Sequence, residues 1–181
     1  MKLHKEMDHI LIPYEKVQAR VKEIAQEITN DYKDKTMPLM VCILKGAVMF
    51  FADLTRAVDI DVNLEFMAIS TYGSSTRSSG EVRLVKDLDC SVDGRNVIIV
   101  EDIIDTGITM DYLIKMLYTR GALSVKVCTL LSKPNRRKIE VPIDYVGFEI
   151  PDEFVIGYGL DLDERFRNLE DVGIYKEIKN N

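Results

Sequence analysis

Apolar positions along this chain follow two rhythms that alternate from one end to the other. Between Tyr14 and Tyr32 they fall at Val17, Val21, Ile24 and Ile28, with lysine, glutamate and glutamine between them. That spacing predicts an amphipathic helix. Leu39 to Leu44 is apolar without interruption, the mark of a strand covered on both faces. Lys45-Gly46 breaks that run, and Ala47 to Val58 predicts a second helix. Leu64 to Thr71 and Val82 to Leu88 read as strands around a Ser- and Gly-rich loop, and Asp93-Gly94 as a turn. Val97 to Val100 predicts another buried strand, and Asp111 to Arg120 a helix stopped by Gly121. Val125 to Leu131 and Asp144 to Phe148 predict strands. A short strand at His9 to Ile12, ended by Pro13, and an apolar stretch from Phe154 to Tyr158 complete the pattern. Strands alternating with helices at these lengths predict an α/β fold with a central, mostly parallel sheet flanked by helices. No repeat, low-complexity tract or linker divides the 181 residues, so a single domain over 1–181 is expected.

Composition narrows the partners more than the fold. Apolar residues at 46% and charged residues at 30% are ordinary for a soluble globular protein. A net charge of −6 disfavours a general nucleic-acid surface, although Lys133, Arg136, Arg137 and Lys138 form a local basic cluster. Apolar runs such as Ala47 to Ala52 are too short to span a bilayer. Met1 to Glu6 lacks the apolar stretch of a signal peptide. Cys42, Cys90 and Cys128 are odd in number and lack metal-ligand spacing. Cys42 and Cys128 lie in apolar strands and read as reduced core residues, so a cytoplasmic protein with no membrane partner is expected.

The chemistry concentrates in residues 97–109. The strand from Val97 to Val100 leads into two carboxylates, Glu101 and Asp102, which sit at the carboxyl end where open parallel sheets bind ligands. Neighbouring strand residues point to opposite faces, so one acid can face a ribose diol or a metal while the other faces inward. Asp105-Thr106-Gly107-Ile108-Thr109 follows and opens a helix. Gly107 permits close backbone approach, helix-start N–H groups favour a phosphate, and Thr106 and Thr109 add hydroxyls. Alone, Asp105 or Thr106 would serve equally well as an ordinary helix N-cap. The acid pair just upstream favours a site for an anionic sugar phosphate with a divalent cation.

The run Val97 to Thr109 resembles the phosphoribosyl-pyrophosphate signature of the type I phosphoribosyltransferases, and in detail that of the bacterial-like hypoxanthine-guanine members. Leu44-Lys45-Gly46, Thr71-Tyr72-Gly73, Asp152 to Tyr158, Asp161 and Phe166 to Leu169 extend the resemblance over nearly the whole chain in order. It implies a Rossmann-like core with a small hood from about 1–12 and 150–181, and a lid over about 71–80 that begins at Thr71 and Tyr72. It implies that Glu101 and Asp102 hold the ribose hydroxyls and associate with Mg²⁺, with Asp161 a second metal ligand. Asp105, Thr106, Gly107, Ile108 and Thr109 become the 5′-phosphate loop, and Asp105 the general base. Lys45 and Gly46 become the pyrophosphate turn, with a cis peptide between Leu44 and Lys45, and Arg167 a further pyrophosphate contact. Lys133 would donate to the purine 6-oxo group, Phe154 would stack on the base, and Val155 would contact it through its backbone.

Read without that resemblance, several of these residues have plainer roles. Lys45 would be a surface lysine, Lys133 part of a solvated basic turn, and Phe154 core. Asp161 and Asp163 would be loop acids, Arg167 an ion-pair partner, and His4 and His9 have no partner in the pattern. Two departures stand out. The family usually carries Ser-Tyr where this chain has Thr71-Tyr72, and some relatives carry a basic residue at the position of Ile108.

The activity implied is transfer of a phosphoribosyl group from phosphoribosyl pyrophosphate to hypoxanthine or guanine, a purine-salvage glycosyltransferase reaction. The family commonly forms homodimers or homotetramers. The alternative is an RNA-binding regulator of a pyrimidine operon on the same scaffold, which should show a broad basic face. A P-loop nucleotidase is excluded because no Gly-x-x-x-x-Gly-Lys-Ser/Thr occurs.

Overall fold

The computed structural model describes residues 3–71 and 82–176. Its main sheet has six strands: β2 (Leu39–Leu44), β3 (Asn63–Thr71), β4 (Val82–Lys86), β5 (Asn96–Ile104), β6 (Ser124–Ser132) and β7 (Tyr145–Glu149). They lie in the order β4-β3-β2-β5-β6-β7. All neighbours are parallel except β3 and β4. After β2 the chain winds outward through β3 and β4, then returns to lay β5 on the opposite side of β2. The crevice between β2 and β5 is therefore the topological switch point, where such sheets bind ligands.

Helices cover both faces, as the uninterrupted apolar strands require. α1 (Tyr14–Tyr32) and α2 (Val48–Ala57) pack on one face, and α3 (Ile108–Thr119) on the other. The period-two alternation of strands divides the core accordingly. Met40, Cys42, Ile98 and Val100 meet Val21, Ile24, Phe50 and Leu54. Leu39, Val41, Val97 and Ile99 meet Met110, Leu113 and Leu117. Cys42 and Cys128 are buried free thiols, as expected. Among the described residues no helix is long and apolar enough to cross a membrane.

A second sheet, three-stranded and antiparallel, joins β1 (Met7–Ile12), β9 (Val172–Tyr175) and β8 (Val155–Ile156) in the order β1-β9-β8. Met7, Ile156 and Phe166 form its own small core.

Two boundaries differ from the sequence reading in ways that matter for the site. β5 does not end at Val100. It continues to Ile104 because β6 still pairs with it, Glu101 opposite Thr129 and Ile104 opposite Ser132. On its other side, pairing with β2 stops at Val100 opposite Cys42. Glu101 and Asp102 thus lie inside a strand but beside an open edge, where β2 has already turned away. The helix expected from Asp111 begins at Ile108, directly after Gly107.

Candidate active site

The loop between β5 and α3 is built by close approach. Gly107 has φ 81° and forms the N-cap of α3. A β-carbon there would run into the carbonyl of Ile139. The N-cap is Gly107, not Asp105 or Thr106, and among the described residues the start of the helix receives only a long bond, from Ile108 N–H to Thr106 Oγ1 at 3.5 Å. Most of the helix-start N–H groups are thus open to an anion. Asp105, Thr106, Gly107 and Thr109 line a cavity of about 150 Å³, with Glu101 on its wall. Ile108 points elsewhere, into a groove along α3, and offers this cavity no side chain.

A neighbouring segment braces the loop. Lys138 and Ile139 donate their backbone N–H groups to Thr106 O, at 2.9 and 3.1 Å. Arg137 Nη1 donates to Asp105 O and Nη2 to Ser132 Oγ, both at 2.9 Å. Sequence reasoning assigned Arg137 only to a basic turn, and no motif marked this contact.

Glu101 and Asp102 stand side by side at the open edge, Glu101 lining the loop cavity and accepting the Asp102 N–H at 3.2 Å, and Asp102 lying against Gly46. Burial pushes the Glu101 carboxyl well above its usual range, and the neighbouring Asp102 charge adds to it. Burial also raises Asp102, against hydrogen bonds from Glu101 and the Ile103 N–H and the charge of Arg167. Two neighbouring half-buried acids are costly to ionise together without a cation. Among the described residues no group of three potential ligands could hold a metal by itself. A pair of carboxylates suits Mg²⁺, which is typically held by one or two acids plus substrate oxygens and water. Asp161 stands apart from the pair. Its Oδ1 lies 2.8 Å from Arg167 Nη2, and its Oδ2 accepts the Glu164 N–H at 2.9 Å.

The turn after β2 closes the crevice. The Leu44–Lys45 peptide is cis. Gly46 abuts the Asp102 carboxylate, and Gly159 in turn abuts Gly46 O. Arg167 Nη1 donates to Gly159 O at 2.8 Å, which brings that guanidinium to the same place. Lys45 Nζ reaches Glu164 at 2.9 Å.

The opposite side of the crevice is the end of β6. Lys133 is buried at 6% exposure, unlike a residue of a solvated turn. Its Nζ donates to Glu153 O at 2.8 Å. Val155 begins β8 and is buried, whereas Phe154 is 50% exposed and meets Tyr175 edge-on with ring centres 5.9 Å apart. Phe154 is thus not the core residue its apolar surroundings suggested. Asp105 Oδ1 is buried and has no hydrogen-bond partner among the described residues. Thr71 ends β3, paired with Val82. Tyr72 and the remainder of the expected lid lie outside the described residues.

An open α/β sheet whose switch point gathers a half-buried acid pair, a glycine-started helix and a buried lysine fits the phosphoribosyl transferase class. Residues 13–163 match the family model of the phosphoribosyl transferase domain. The chain is 50% identical over 171 residues to the hypoxanthine-guanine phosphoribosyltransferase of Bacillus subtilis (strain 168), covering 94% of each. It is 47% identical over 175 residues to that of Streptococcus thermophilus (strain CNRZ 1066), covering 97% of each. Among solved structures, a hypoxanthine phosphoribosyltransferase from Staphylococcus aureus superposes with a TM-score of 0.91 at 42% identity, over 98% of this chain and 97% of that one. The Trypanosoma cruzi hypoxanthine phosphoribosyl transferase gives 0.92 at 39% identity, over 97% and 95%. The chain belongs to the hypoxanthine-guanine phosphoribosyltransferase family.

Proposed function

We propose that this protein transfers the phosphoribosyl group of phosphoribosyl pyrophosphate to hypoxanthine or guanine, giving IMP or GMP and pyrophosphate in purine salvage. The observation that carries the reading is the buried Lys133 at the end of β6 beside the acid pair and phosphate-sized loop at the end of β5. A lysine has only donors to offer, which suits a 6-oxo group and not the amino group of adenine.

In this reading Thr106, Gly107, Thr109 and the N–H of Ile108 receive the 5′-phosphate, and Glu101 and Asp102 face the ribose hydroxyls. The same two acids would hold Mg²⁺ together with substrate oxygens, and Asp161 would join them only by leaving Arg167. When bound, the cation supplies positive charge to the departing pyrophosphate. Lys45, the Gly46 turn and Arg167 hold that leaving group electrostatically. Phe154 offers an exposed ring face to the base and Val155 its backbone. As the purine nitrogen bonds to the sugar carbon, Asp105 takes the purine proton.

The small sheet of β1, β8 and β9 would serve as a hood over the base, within one domain. The buried reduced thiols support a cytoplasmic setting, and exposed Met49, Tyr112 and Tyr118 on α2 and α3 support a homodimer or homotetramer. The RNA-binding alternative finds no support, since relatives at half identity are named as transferases. The test is a spectrophotometric assay of hypoxanthine, guanine, xanthine and adenine with phosphoribosyl pyrophosphate and Mg²⁺. Product with hypoxanthine or guanine is expected, and no product with any base would overturn the reading.

A further inference from the structure

Arg136 connects two parts of the site that the reaction as described leaves separate. Its Nε lies 3.6 Å from Asp105 Oδ2, and its Nη1 lies 3.2 Å from Asp152 Oδ1. The same Asp152 oxygen is 3.8 Å from Lys133 Nζ. Asp105, Arg136, Asp152 and Lys133 thus form one alternating chain of charge, from the proton acceptor to the lysine facing the purine.

The backbone holds this chain in place. Lys133 donates its N–H to Ile104 O at 3.0 Å, tying the end of β6 to the end of β5. A single helical turn, Pro134–Arg136, follows at once, with Arg136 N donating to Lys133 O at 3.1 Å. The next residue, Arg137, grips the main chain of Asp105 through its carbonyl. Asp105 is therefore tied through its backbone by a hydrogen bond from Arg137 and through one carboxylate oxygen by an ion pair with Arg136. Its Oδ1 is buried and has no hydrogen-bond partner among the described residues.

We propose that Arg136 is a positioning residue for Asp105, pairing with Oδ2 so that Oδ1 is the oxygen presented to the purine proton. The inference rests on the transferase reading above. In the step it serves, the purine N–H proton passes to Asp105 Oδ1 and the nitrogen electron pair bonds to the anomeric carbon. The electron pair of the breaking carbon–oxygen bond leaves with pyrophosphate. The charged groups around Asp105 are Arg136 and Arg137, with Asp152 and Lys133 behind Arg136 and Glu101 across the small cavity. Asp152 draws part of the Arg136 charge away from Asp105, so the two acids compete for one guanidinium.

Arg136 and Asp105 are 46% and 38% exposed along their side chains, so the contribution of this pair is modest. The experiment is steady-state kinetics with hypoxanthine at saturating phosphoribosyl pyrophosphate, in the wild type, Arg136→Gln, Arg136→Lys and Asp152→Asn. Arg136→Gln should lower kcat by about two- to fivefold with little change in the KM for hypoxanthine. Arg136→Lys should restore most of that loss, and Asp152→Asn should cause none. A wild-type kcat in Arg136→Gln, a loss carried by KM alone, or a loss that Arg136→Lys fails to restore would overturn the inference while leaving the transferase reading intact. A wild-type protein without turnover would fail that reading and take the inference with it.

Discussion

Gly46 lies so close to Asp102 that a β-carbon on residue 46 would overlap the Asp102 carboxylate. Gly159 presses on Gly46 from another direction, so the turn after β2 cannot back away. The turn after β2 and Asp102 are therefore packed as one unit, assembled from β2 and β5 where their pairing ends. Gly46→Ala should displace Asp102 or the turn by about 1 Å, enough to cost about 10²-fold in a positioned reaction. Steady-state kinetics with varied phosphoribosyl pyrophosphate should show that loss in kcat/KM, with an unchanged far-ultraviolet circular dichroism spectrum.

Asp105 lines the loop cavity and has one buried oxygen without a hydrogen-bond partner among the described residues. Asp105→Asn keeps the shape of the side chain and removes its ability to take a proton. Turnover should fall by about 10²- to 10⁴-fold, the usual worth of general base catalysis, with little change in the KM for phosphoribosyl pyrophosphate. Unchanged turnover would remove Asp105 from the role.

Lys133 gives one of its three N–H donors to Glu153 O, and under the proposed function the others are available to the base. Lys133→Ala should lower kcat/KM for hypoxanthine by about 10- to 100-fold, the worth of a hydrogen bond from a charged donor. Adenine, which cannot use that donor, should lose less. The measurement is the hypoxanthine-to-adenine ratio of kcat/KM, and a ratio equal to that of the wild type would take Lys133 out of base recognition.

Away from the crevice, Asp53 ties three elements together. Its Oδ2 accepts hydrogen bonds from Tyr158 Oη and Gln18 Nε2, both at 2.6 Å, and Arg56 pairs with its other oxygen. Burial pushes the Asp53 carboxyl pKa up, but the bonds from Tyr158, Gln18 and Arg56 outweigh it and the net shift is downward. A lowered pKa means that this stabilisation is present above the unfolded-state value and is lost as pH falls through the folded one. Asp53→Asn should cost about 1–2 kcal/mol at pH 7. In urea unfolding followed from neutral to strongly acid pH, the gap between variant and wild type should close at the acid end. A gap independent of pH would show that packing, not charge, is responsible.

Periodicity made the helices and buried strands legible, because burial on one face or two leaves its mark residue by residue. It could not show that β5 continues past Val100, since the pairing of Glu101 to Ile104 with β6 uses backbone groups alone. It missed β9, which is only four residues long and interrupted by Gly173. Asp105 to Thr109 stood out as a candidate loop because the acids, the threonines and Gly107 are contiguous in sequence, and the structure brings Asp105, Thr106, Gly107 and Thr109 together around one cavity. Lys133 was ambiguous beside Arg136, Arg137 and Lys138, and only the turn at Pro134 separates the buried lysine from its exposed neighbours. The roles of Arg136 and Arg137 were invisible, because they act on a loop about thirty residues away in sequence.

Glu164 supplies the last prediction, because it holds two cations expected to meet pyrophosphate. Its Oε2 lies 2.9 Å from Lys45 Nζ and its Oε1 3.5 Å from Arg167 Nη2. The hydrogen bond from Lys45, more than any other contact, holds its carboxyl below the usual range. An incoming pyrophosphate must replace this carboxylate on Lys45 before it can be held there. The Lys45 pair is about two-thirds exposed on both sides, so the competition is weak and screened by salt. Glu164→Gln should therefore lower the KM for phosphoribosyl pyrophosphate by only about two- to fivefold, and the difference should shrink as ionic strength rises. A KM that instead increases would mean that Glu164 organises Lys45 for the substrate and does not compete with it.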